Sequence, residues 1–335
     1  MKRFLPLAAA LLWVLSGGCA STGNTTALSS PESIAANNQA FSPDFNSAIM
    51  YVNRGIAHYE KGEFDKAIEN YNQAISIDPR LAEAYNNRGV AYDDTDEFGK
   101  AVADFNQALR INPNYALAYY NRGNAYSGKR DLDSAIADFN EALRLNPDHA
   151  KAYSNRGSAY FDKGDLDSAI ADFNQALSLS PNLAVAYNNR GTAYRRKGDF
   201  DKAIEDFNQA LRLNPDYAAA YRNRGVVYSV KGNLDSAIED FNQALSLNPN
   251  DAGTYHNRGF VYSKKEDFDN AIKDYSKALS LAPNSAATYN NRGNVYSQKG
   301  EFHKAFADFN QALRIDPDYA PARQNLEQAR RQRGR

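Results

Sequence analysis

The feature that most constrains this chain is a spacing of 34 residues, repeated over eight copies that begin at Ala48. The tripeptide Asn-Arg-Gly returns at that interval, and a proline stands at a fixed distance beyond each glycine. This regularity predicts one supersecondary unit copied in series, because each copy buries its apolar face only by stacking on its neighbours. The glycines are Gly55, Gly89, Gly123, Gly157, Gly191, Gly225, Gly259 and Gly293, and the prolines are Pro79, Pro113, Pro147, Pro181, Pro215, Pro249, Pro283 and Pro317.

Counting each copy from one, with Ala48 as the first residue, separates fixed positions from variable ones. Position four is always Tyr, and positions six, seven and eight are always Asn, Arg and Gly. Positions 20 and 27 are always Ala, and position 24 is Phe or Tyr. Positions four, eight and eleven follow the period of one helix face, and positions 20, 24 and 27 follow that of a second. Each copy is therefore predicted to be a pair of helices of about 14 residues, packed through large rings against Gly or Ala.

The segment between the two predicted helices is Lys-Gly-Asp or a variant of it, which breaks the helical pattern. Acidic residues in this segment, such as Asp131, Asp165 and Asp199, are predicted to cap the second helix. The proline at position 32 ends the second helix because it cannot donate a backbone hydrogen bond.

The unit resembles the tetratricopeptide repeat in its 34-residue period and its Gly–Tyr–Ala–aromatic–Ala–Pro skeleton. The resemblance implies an all-α, right-handed superhelical solenoid of eight helix-turn-helix units plus a C-terminal capping helix. One departure runs throughout, because the common pattern has Leu at position seven and this chain has Arg. The units are predicted at 48–81, 82–115, 116–149, 150–183, 184–217, 218–251, 252–285 and 286–319, and the capping helix with a basic tail at 320–335.

The arginine at position seven has a predicted partner. Position 23 is Asp in seven of the eight units and Asn70 in the first. In a helical hairpin centred near position 15, positions seven and 23 lie level, so we expect an ion pair in each unit from the second onward. These pairs are interpreted as structural rather than catalytic, since partly buried pairs often fix geometry. Examples are Arg88 with Asp104, Arg122 with Asp138, and Arg156 with Asp172.

The asparagine at position six lies off the Tyr–Gly–Tyr face of the first helix. In the tetratricopeptide family that side of the helix lines a concave groove. A row of amides, each both donor and acceptor, matches the backbone of an extended peptide, and it resembles the asparagine ladder of the O-linked glucosaminyltransferase superhelix. The alternative is local hydrogen bonding within the helical stack. The row is Asn53, Asn87, Asn121, Asn155, Asn189, Asn223, Asn257 and Asn291.

The neighbours of this row vary from unit to unit and are predicted to select the ligand. Acidic residues stand on the groove side in the first half of the chain and basic residues in the second, which suits a ligand with basic and acidic segments; ordinary solvated charge is the alternative. No unit has Lys at position five, which argues against the carboxylate clamp of chaperone-binding members of the family. The candidate selectivity residues are Tyr120, Asn124, Lys151, Asn188, Arg195, Arg222, His256 and Phe260.

Residues 1–18 are predicted to be a signal peptide, with Lys2 and Arg3 before an apolar run that is too short to span a bilayer. Small residues directly before Cys19 resemble a bacterial lipoprotein signal, which implies acyl chains such as palmitate on Cys19 and a lipid anchor in the membrane. The alternative is secretion with an unmodified cysteine. Residues 19–47 are interpreted as a flexible tether. By the sorting rule of that family, the periplasmic side of an outer membrane is favoured where the host has one.

Composition excludes several classes of protein. The net charge of −1 argues against a nucleic-acid binder. A single cysteine leaves no disulfide and no cysteine-based metal site in the repeats. No phosphate loop, zinc-protease motif or nucleophile elbow is present, so neither an enzyme nor a cofactor or metal is predicted.

These features together predict a membrane-anchored scaffold or adaptor that binds extended peptide segments of partner proteins in the groove. In layout it resembles outer-membrane tetratricopeptide lipoproteins that recruit cell-wall hydrolases, and pilotins. The alternative function is a structural assembly factor, pilotin-like or self-associating, that uses its convex face or its ends.

Overall fold

The computed structural model describes Leu28 and residues 43–334, which contain 17 α-helices and no strand. The prediction of an all-α chain of repeated helix pairs is confirmed. The helices are α1 (Pro43–Tyr59), α2 (Phe64–Ile77), α3 (Ala82–Asp94), α4 (Phe98–Ile111), α5 (Ala116–Gly128), α6 (Leu132–Leu145), α7 (Ala150–Lys163), α8 (Leu166–Leu179), α9 (Ala184–Lys197), α10 (Phe200–Leu213), α11 (Ala218–Lys231), α12 (Leu234–Leu247), α13 (Ala252–Lys264), α14 (Phe268–Leu281), α15 (Ala286–Gln298), α16 (Phe302–Ile315) and α17 (Ala320–Arg333).

The described residues fall into two compact units, one that ends at Ala193 and one that begins at Tyr194. In the first unit, α1 packs on α2, α3 on α4, α5 on α6 and α7 on α8, and α2, α4 and α6 also contact the next odd helix. The second unit repeats the arrangement from α11 onward and ends with α17 on α16. Within each unit, successive odd helices also contact one another.

The close approach of the two helices in a pair depends on the glycine at position eight. A Cβ atom on Gly89 would lie 2.7 Å from ring carbon Cε1 of Phe105, and one on Gly123 would lie 2.7 Å from Cε1 of Phe139. Both rings are fully buried. The predicted packing of a large ring on a small residue is therefore confirmed.

The turn inside each pair places position 15 in the left-handed backbone region in all eight units. Glycine occupies this position in five units, for example Gly164 with φ 87°. The other three have Asp96, Arg130 and Glu266 with φ near 60°. The predicted caps follow directly, since a side-chain oxygen of Asp131 accepts a hydrogen bond from the backbone N–H of Ser134 at 3.2 Å.

The tether predicted over 19–47 was wrong at its C-terminal end, because helix α1 begins at Pro43. Proline is favoured at the first helical position, where no backbone donor is needed. Asp44 lies in the first turn, where its negative charge interacts favourably with the helix dipole. Phe45 packs on the core of the first helix pair. The predicted signal peptide, Cys19 and the rest of the tether, apart from Leu28, lie outside the described residues.

The predicted capping helix is present as α17. Ala322, Leu326 and Ala329 are buried, the last two in a cluster with Ala305 and Phe309. Leu326 occupies position seven, where the eight preceding units have Arg. In the described part of the chain, no helix has the length and apolar character needed to cross a bilayer.

Candidate protein-binding surface

The surface predicted to bind partners lies on the odd-numbered helices, at positions two, five, six, nine, twelve and thirteen. We call it the odd-helix face. Neighbouring odd helices contact one another within each unit, so these positions meet across the junction between one unit of the repeat and the next.

The asparagine row belongs to this face, but all of its members except Asn53 are buried. Asn87, Asn121 and Asn189 have no exposed surface, and Asn155 has the largest exposure among the buried members at 9%. Asn223, Asn257 and Asn291 are buried as well, and only Asn53, in the first unit of the repeat, is exposed. An extended peptide on the surface would therefore meet few of these amides directly.

The buried amides donate to side chains of the preceding odd helix. The amide nitrogen of Asn121 donates to Oδ1 of Asn86 at 2.9 Å, and that of Asn155 donates to Oδ1 of Asn124 at 2.8 Å. The acceptors stand at positions five and nine. The geometry matches the alternative of local hydrogen bonding within the stack.

The same bonding recurs in the second unit and in the capping helix. Nδ2 of Asn291 lies 3.4 Å from Nε2 of His256. Asn325, which holds position six in α17, donates to Oδ1 of Asn290 at 2.8 Å. The sequence analysis did not count Asn325 as a member of the row, although its spacing of 34 residues from Asn291 identifies it.

The candidate selectivity residues separate into a buried set and an accessible set. Lys151 is exposed and Arg222 is half-buried, with its guanidinium donating to Asp251 at 3.1 Å. The buried set is Tyr120, Asn124, Asn188, Arg195, His256 and Phe260. Most of these candidates are therefore buried within the face, and the accessible side chains are Lys151, Arg222 and the residues at position thirteen.

The arginine at position seven makes two sets of contacts. In the third unit of the repeat, Nε and Nη2 of Arg122 donate to the two carboxylate oxygens of Asp138 at 2.7 and 2.6 Å. Its Nη1 also donates to Oδ1 of Asn106 in the preceding copy at 2.5 Å. The pairs present in this form are Arg88–Asp104, Arg122–Asp138, Arg156–Asp172, Arg224–Asp240, Arg258–Asp274 and Arg292–Asp308.

Sequence reasoning found the carboxylate partner and missed the amide. Position 25 is Asn in seven units and Ser276 in one, and Ser276 accepts from Arg292 in the same way at 2.9 Å. This Arg–Asp–Asn lattice links each copy to its predecessor. It explains how a charged residue replaces the usual leucine at position seven.

Asp93, at position twelve of α3, is a buried carboxylate without a partner. It is 3% exposed, and neither carboxylate oxygen accepts a hydrogen bond from the described residues. Burial, and then the charges of Asp94 and Asp96, raise the pKa of Asp93 to about 7. A carboxylate in this state favours any cation that reaches it.

Arg195, at position twelve of α9, is the corresponding basic residue in the second unit. It is 8% exposed, and its Nε donates no hydrogen bond to the described residues. Burial, and then the charges of Arg222 and Arg196, lower the pKa of Arg195 to about 10. The guanidinium therefore stays charged at neutral pH.

Other chemistry is sparse on the described residues. No group of three or more His, Cys, Asp or Glu side chains converges there in a way that could hold a metal ion.

Sequence comparisons identify the repeat. The tetratricopeptide repeat profiles match residues 82–115, 116–149, 148–216, 188–252 and 250–318, and a TPR repeat profile matches 55–96. Together these matches run without a gap from residue 55 to residue 318. A search by sequence found no significant match to a curated protein.

Two solved structures show the same fold at low identity. The chain is similar to one from the APC/C hetero-tetramer Cut9–Hcn1, with 21% identity and a TM-score of 0.63 over 89% of this chain. It spans 58% of the length of that chain. It is also similar to PilF of Pseudomonas aeruginosa, with 18% identity and a TM-score of 0.58 over 64% of this chain and 97% of that one.

Proposed function

Because this chain belongs to the tetratricopeptide-repeat family, we propose that it is a protein–protein interaction scaffold that binds extended segments of partner proteins on its odd-helix face. The observation that carries the proposal is the presence of buried, unpaired charges on that face. The two carboxylate oxygens of Asp93 and Nε of Arg195 have no hydrogen-bond partner among the described residues, whereas the lattice arginines are paired.

The contrast between paired and unpaired buried charges distinguishes the scaffold from the binding surface. A buried charge without a counter-charge is unfavourable for the fold. The scaffold does not need charge at position twelve, since Ser127 and Ser263 occupy it and donate to carbonyl oxygens of their own helices. A partner that supplies the missing counter-charge would offset the cost in the complex.

In this proposal the asparagine row holds the odd helices in register below the binding surface. Direct contact between these amides and a peptide backbone stays a prediction, and it is testable at Asn53, the exposed member of the row. The partner would be held mainly by the variable side chains above the row, so that different stretches of the face would select different side chains.

Anchoring at the membrane is a separate part of the proposal and rests on sequence alone. Acylation of Cys19 would tether the scaffold to one leaflet, with the outer membrane favoured in a host that has one. Incorporation of a clickable palmitate analogue into the expressed chain, and its loss in Cys19→Ala, would test the anchor independently of partner binding.

Site-specific photo-crosslinking in the native host tests the binding surface. A photoreactive amino acid would replace Lys151 or Lys264, both exposed on odd helices, or Gln175 or Glu239, both exposed on even helices. We expect a partner to be captured from the odd-helix positions and not from the even-helix positions. Capture from the even helices alone, or only of a second copy of this chain, would favour the assembly-factor alternative.

A further inference from the structure

In the compact unit that ends at Ala193, one residue from outside the repeats packs against the repeats. Leu28 is half-buried and packs against the cluster formed by Val90, Ala101, Phe105 and Ala125. Val90 is the member of this cluster at position nine, on the odd-helix face. An apolar side chain from a segment outside the repeats therefore packs on the cluster to which Val90, of the odd-helix face, belongs.

The unpaired carboxylate lies next to this apolar contact. Asp93 follows Val90 by three residues in α3, which places both side chains on one side of the helix. Tyr59, whose ring packs on the Leu28 cluster, donates its hydroxyl to the neighbouring Asp94. Apolar and anionic groups thus meet at the junction of α1 and α3.

The segment that supplies Leu28 cannot supply the missing cation. Residues 19–42 contain no Lys, Arg or His, and Glu32 is their only charged side chain. Lys100, on the next helix, is paired with Glu97. Among the described residues, Leu28 therefore packs on the apolar cluster, and neither carboxylate oxygen of Asp93 has a hydrogen-bond partner.

We propose that this place binds a partner segment in which an apolar side chain is followed or preceded closely by Lys or Arg, and that Leu28 occupies the apolar subsite until the partner displaces it. The inference rests on the proposed function. It specifies the chemistry of the partner segment that binds the compact unit ending at Ala193. The partner's apolar side chain takes the position of Leu28, and its cation pairs with Asp93.

The energetics favour a cationic segment over a neutral one. The pKa of Asp93, about 7 in the free protein, leaves a large fraction of the carboxylate ionised at neutral pH. A cation adjacent to it forms a charge-assisted hydrogen bond in a site shielded from water. A glutamate in the same peptide position would meet Asp93, Asp94 and Asp96, so repulsion adds to the selectivity.

Leu28 lowers the apparent affinity by competing from within the same chain. A tethered competitor acts at an effective concentration in the millimolar range. A weak contact by one leucine therefore blocks weak ligands while a segment with both groups displaces it. Leu28 therefore sets a minimum affinity that a ligand needs in order to bind, without any change in the repeats.

The test uses synthetic peptides and the full chain. The parent peptide is a fluorescent copy of residues 24–33, which are Asn-Thr-Thr-Ala-Leu-Ser-Ser-Pro-Glu-Ser. In one series, Lys replaces in turn each residue within three positions of the leucine. A second series has Glu at the same positions, and a third has Lys together with Ser in place of the leucine. Affinity is measured by fluorescence anisotropy.

Four forms of the chain are compared: the unaltered chain, Leu28→Ser, Leu28→Ser with Asp93→Asn, and Leu28→Ser with Asp65→Asn. Asp65 is exposed on α2, so its replacement makes the same charge change away from the odd-helix face. Circular dichroism and a thermal melt establish that each variant is folded. Asp93→Asn keeps the size of the side chain and removes its negative charge.

We expect at least one Lys peptide to bind the Leu28→Ser chain about tenfold more tightly than its Glu counterpart does. The same Lys peptide should bind the unaltered chain about tenfold more weakly than it binds the Leu28→Ser chain. The preference for Lys should vanish in Asp93→Asn and persist in Asp65→Asn. Serine in place of the peptide leucine should abolish binding.

Three results would overturn the inference. Equal binding of Lys and Glu peptides, or a Lys preference that survives Asp93→Asn, would leave the odd-helix face as a peptide-binding surface without this specificity. Binding by none of the peptides, combined with partner capture from Lys151 or Lys264, would also reject the inference and retain the proposed function. Failure of both experiments would reject both.

Discussion

Asp93, in the unit that ends at Ala193, and Arg195, in the unit that begins at Tyr194, stand at the same position of their repeats with opposite charge. Both are more than nine-tenths buried. The helices around them are built from the same fixed residues, so the fold does not dictate the charge at position twelve. In the proposed function, each unit would therefore offer a different counter-charge to the segment that it binds.

The lattice at position seven shows what the repeat does when a buried charge serves the fold. Arg122 is bound by two carboxylate oxygens of Asp138 and by the amide oxygen of Asn106. Its guanidinium thus has partners on two helices and in two copies of the repeat. A structural charge in this chain is fully paired, whereas the charges at position twelve are not.

The largest effect is expected where a lattice pair is broken. Asp138→Asn leaves the guanidinium of Arg122 partly buried without its counter-charge, and we expect a loss of about 3 kcal/mol in the free energy of unfolding. Urea denaturation followed by circular dichroism measures the loss. A double variant, Arg122→Met with Asp138→Leu, should recover most of it, and a single-variant cost below about 1 kcal/mol would contradict the structural role.

The same substitution at position twelve should have the opposite sign. The pKa of Asp93 is about 7 in the folded chain against an ordinary value of 3.8, so the unfolded chain ionises first as pH rises. The folded state is therefore penalised increasingly between those two pH values and fully above the upper one. Asp93→Asn should raise the free energy of unfolding by about 2–4 kcal/mol at pH 8.

The pH dependence is the control for this prediction. At pH 3 both the folded and the unfolded chain hold Asp93 protonated, and Asn resembles the protonated acid. Urea denaturation of both proteins at pH 3 and pH 8 separates the charge from other effects of the substitution. Stabilisation that is equal at both pH values would show that charge is not its cause.

A smaller stabilisation is expected at the basic counterpart. Arg195→Met replaces an unpaired guanidinium by an apolar side chain of similar length, and we expect a gain of about 2 kcal/mol at pH 7. Arg122→Met is the matched control, and it should lower stability because it leaves Asp138 unpaired. Destabilisation by both substitutions would mean that Arg195 has a structural partner.

The smallest effect concerns the turns. Arg130 and Glu266 have φ of 60° and 61°, where a side chain is strained and glycine is not. Arg130→Gly and Glu266→Gly should each raise the free energy of unfolding by about 1 kcal/mol, and with it the midpoint of thermal unfolding. Gly164→Arg, the reverse change in the repeat that follows that of Arg130, should lower it; no shift in either direction would show that position 15 relaxes without strain.

Much of the fold could be predicted because it depends on periodic positions within one copy. The spacing of Gly89 and Phe105 indicates their contact, and the level placement of Arg88 and Asp104 in a hairpin indicates their pairing. The structure places both pairs in contact. These predictions needed no knowledge of how one copy stacks on the next.

The features that could not be predicted from the sequence depend on how one copy stacks on the next. The amide of Asn106 reaches Arg122 from the preceding copy, and the asparagine row is buried, apart from Asn53, because the odd helices touch. Glu60 and Asp93 look alike as acidic residues on one face, yet Glu60 is exposed and Asp93 is buried. Leu28 contacts the first unit from a segment without any periodic pattern.

The measurement that tests the central claim most directly is the NMR titration of the Asp93 carboxyl carbon in the full chain, free and with the tightest Lys peptide. The account predicts a pKa near 7 in the free protein and a fall well below that value when the peptide cation pairs with the carboxylate. A pKa near the ordinary 3.8 in the free protein, or one that does not change with peptide, would contradict the claim that Asp93 is an unpaired charge awaiting a partner.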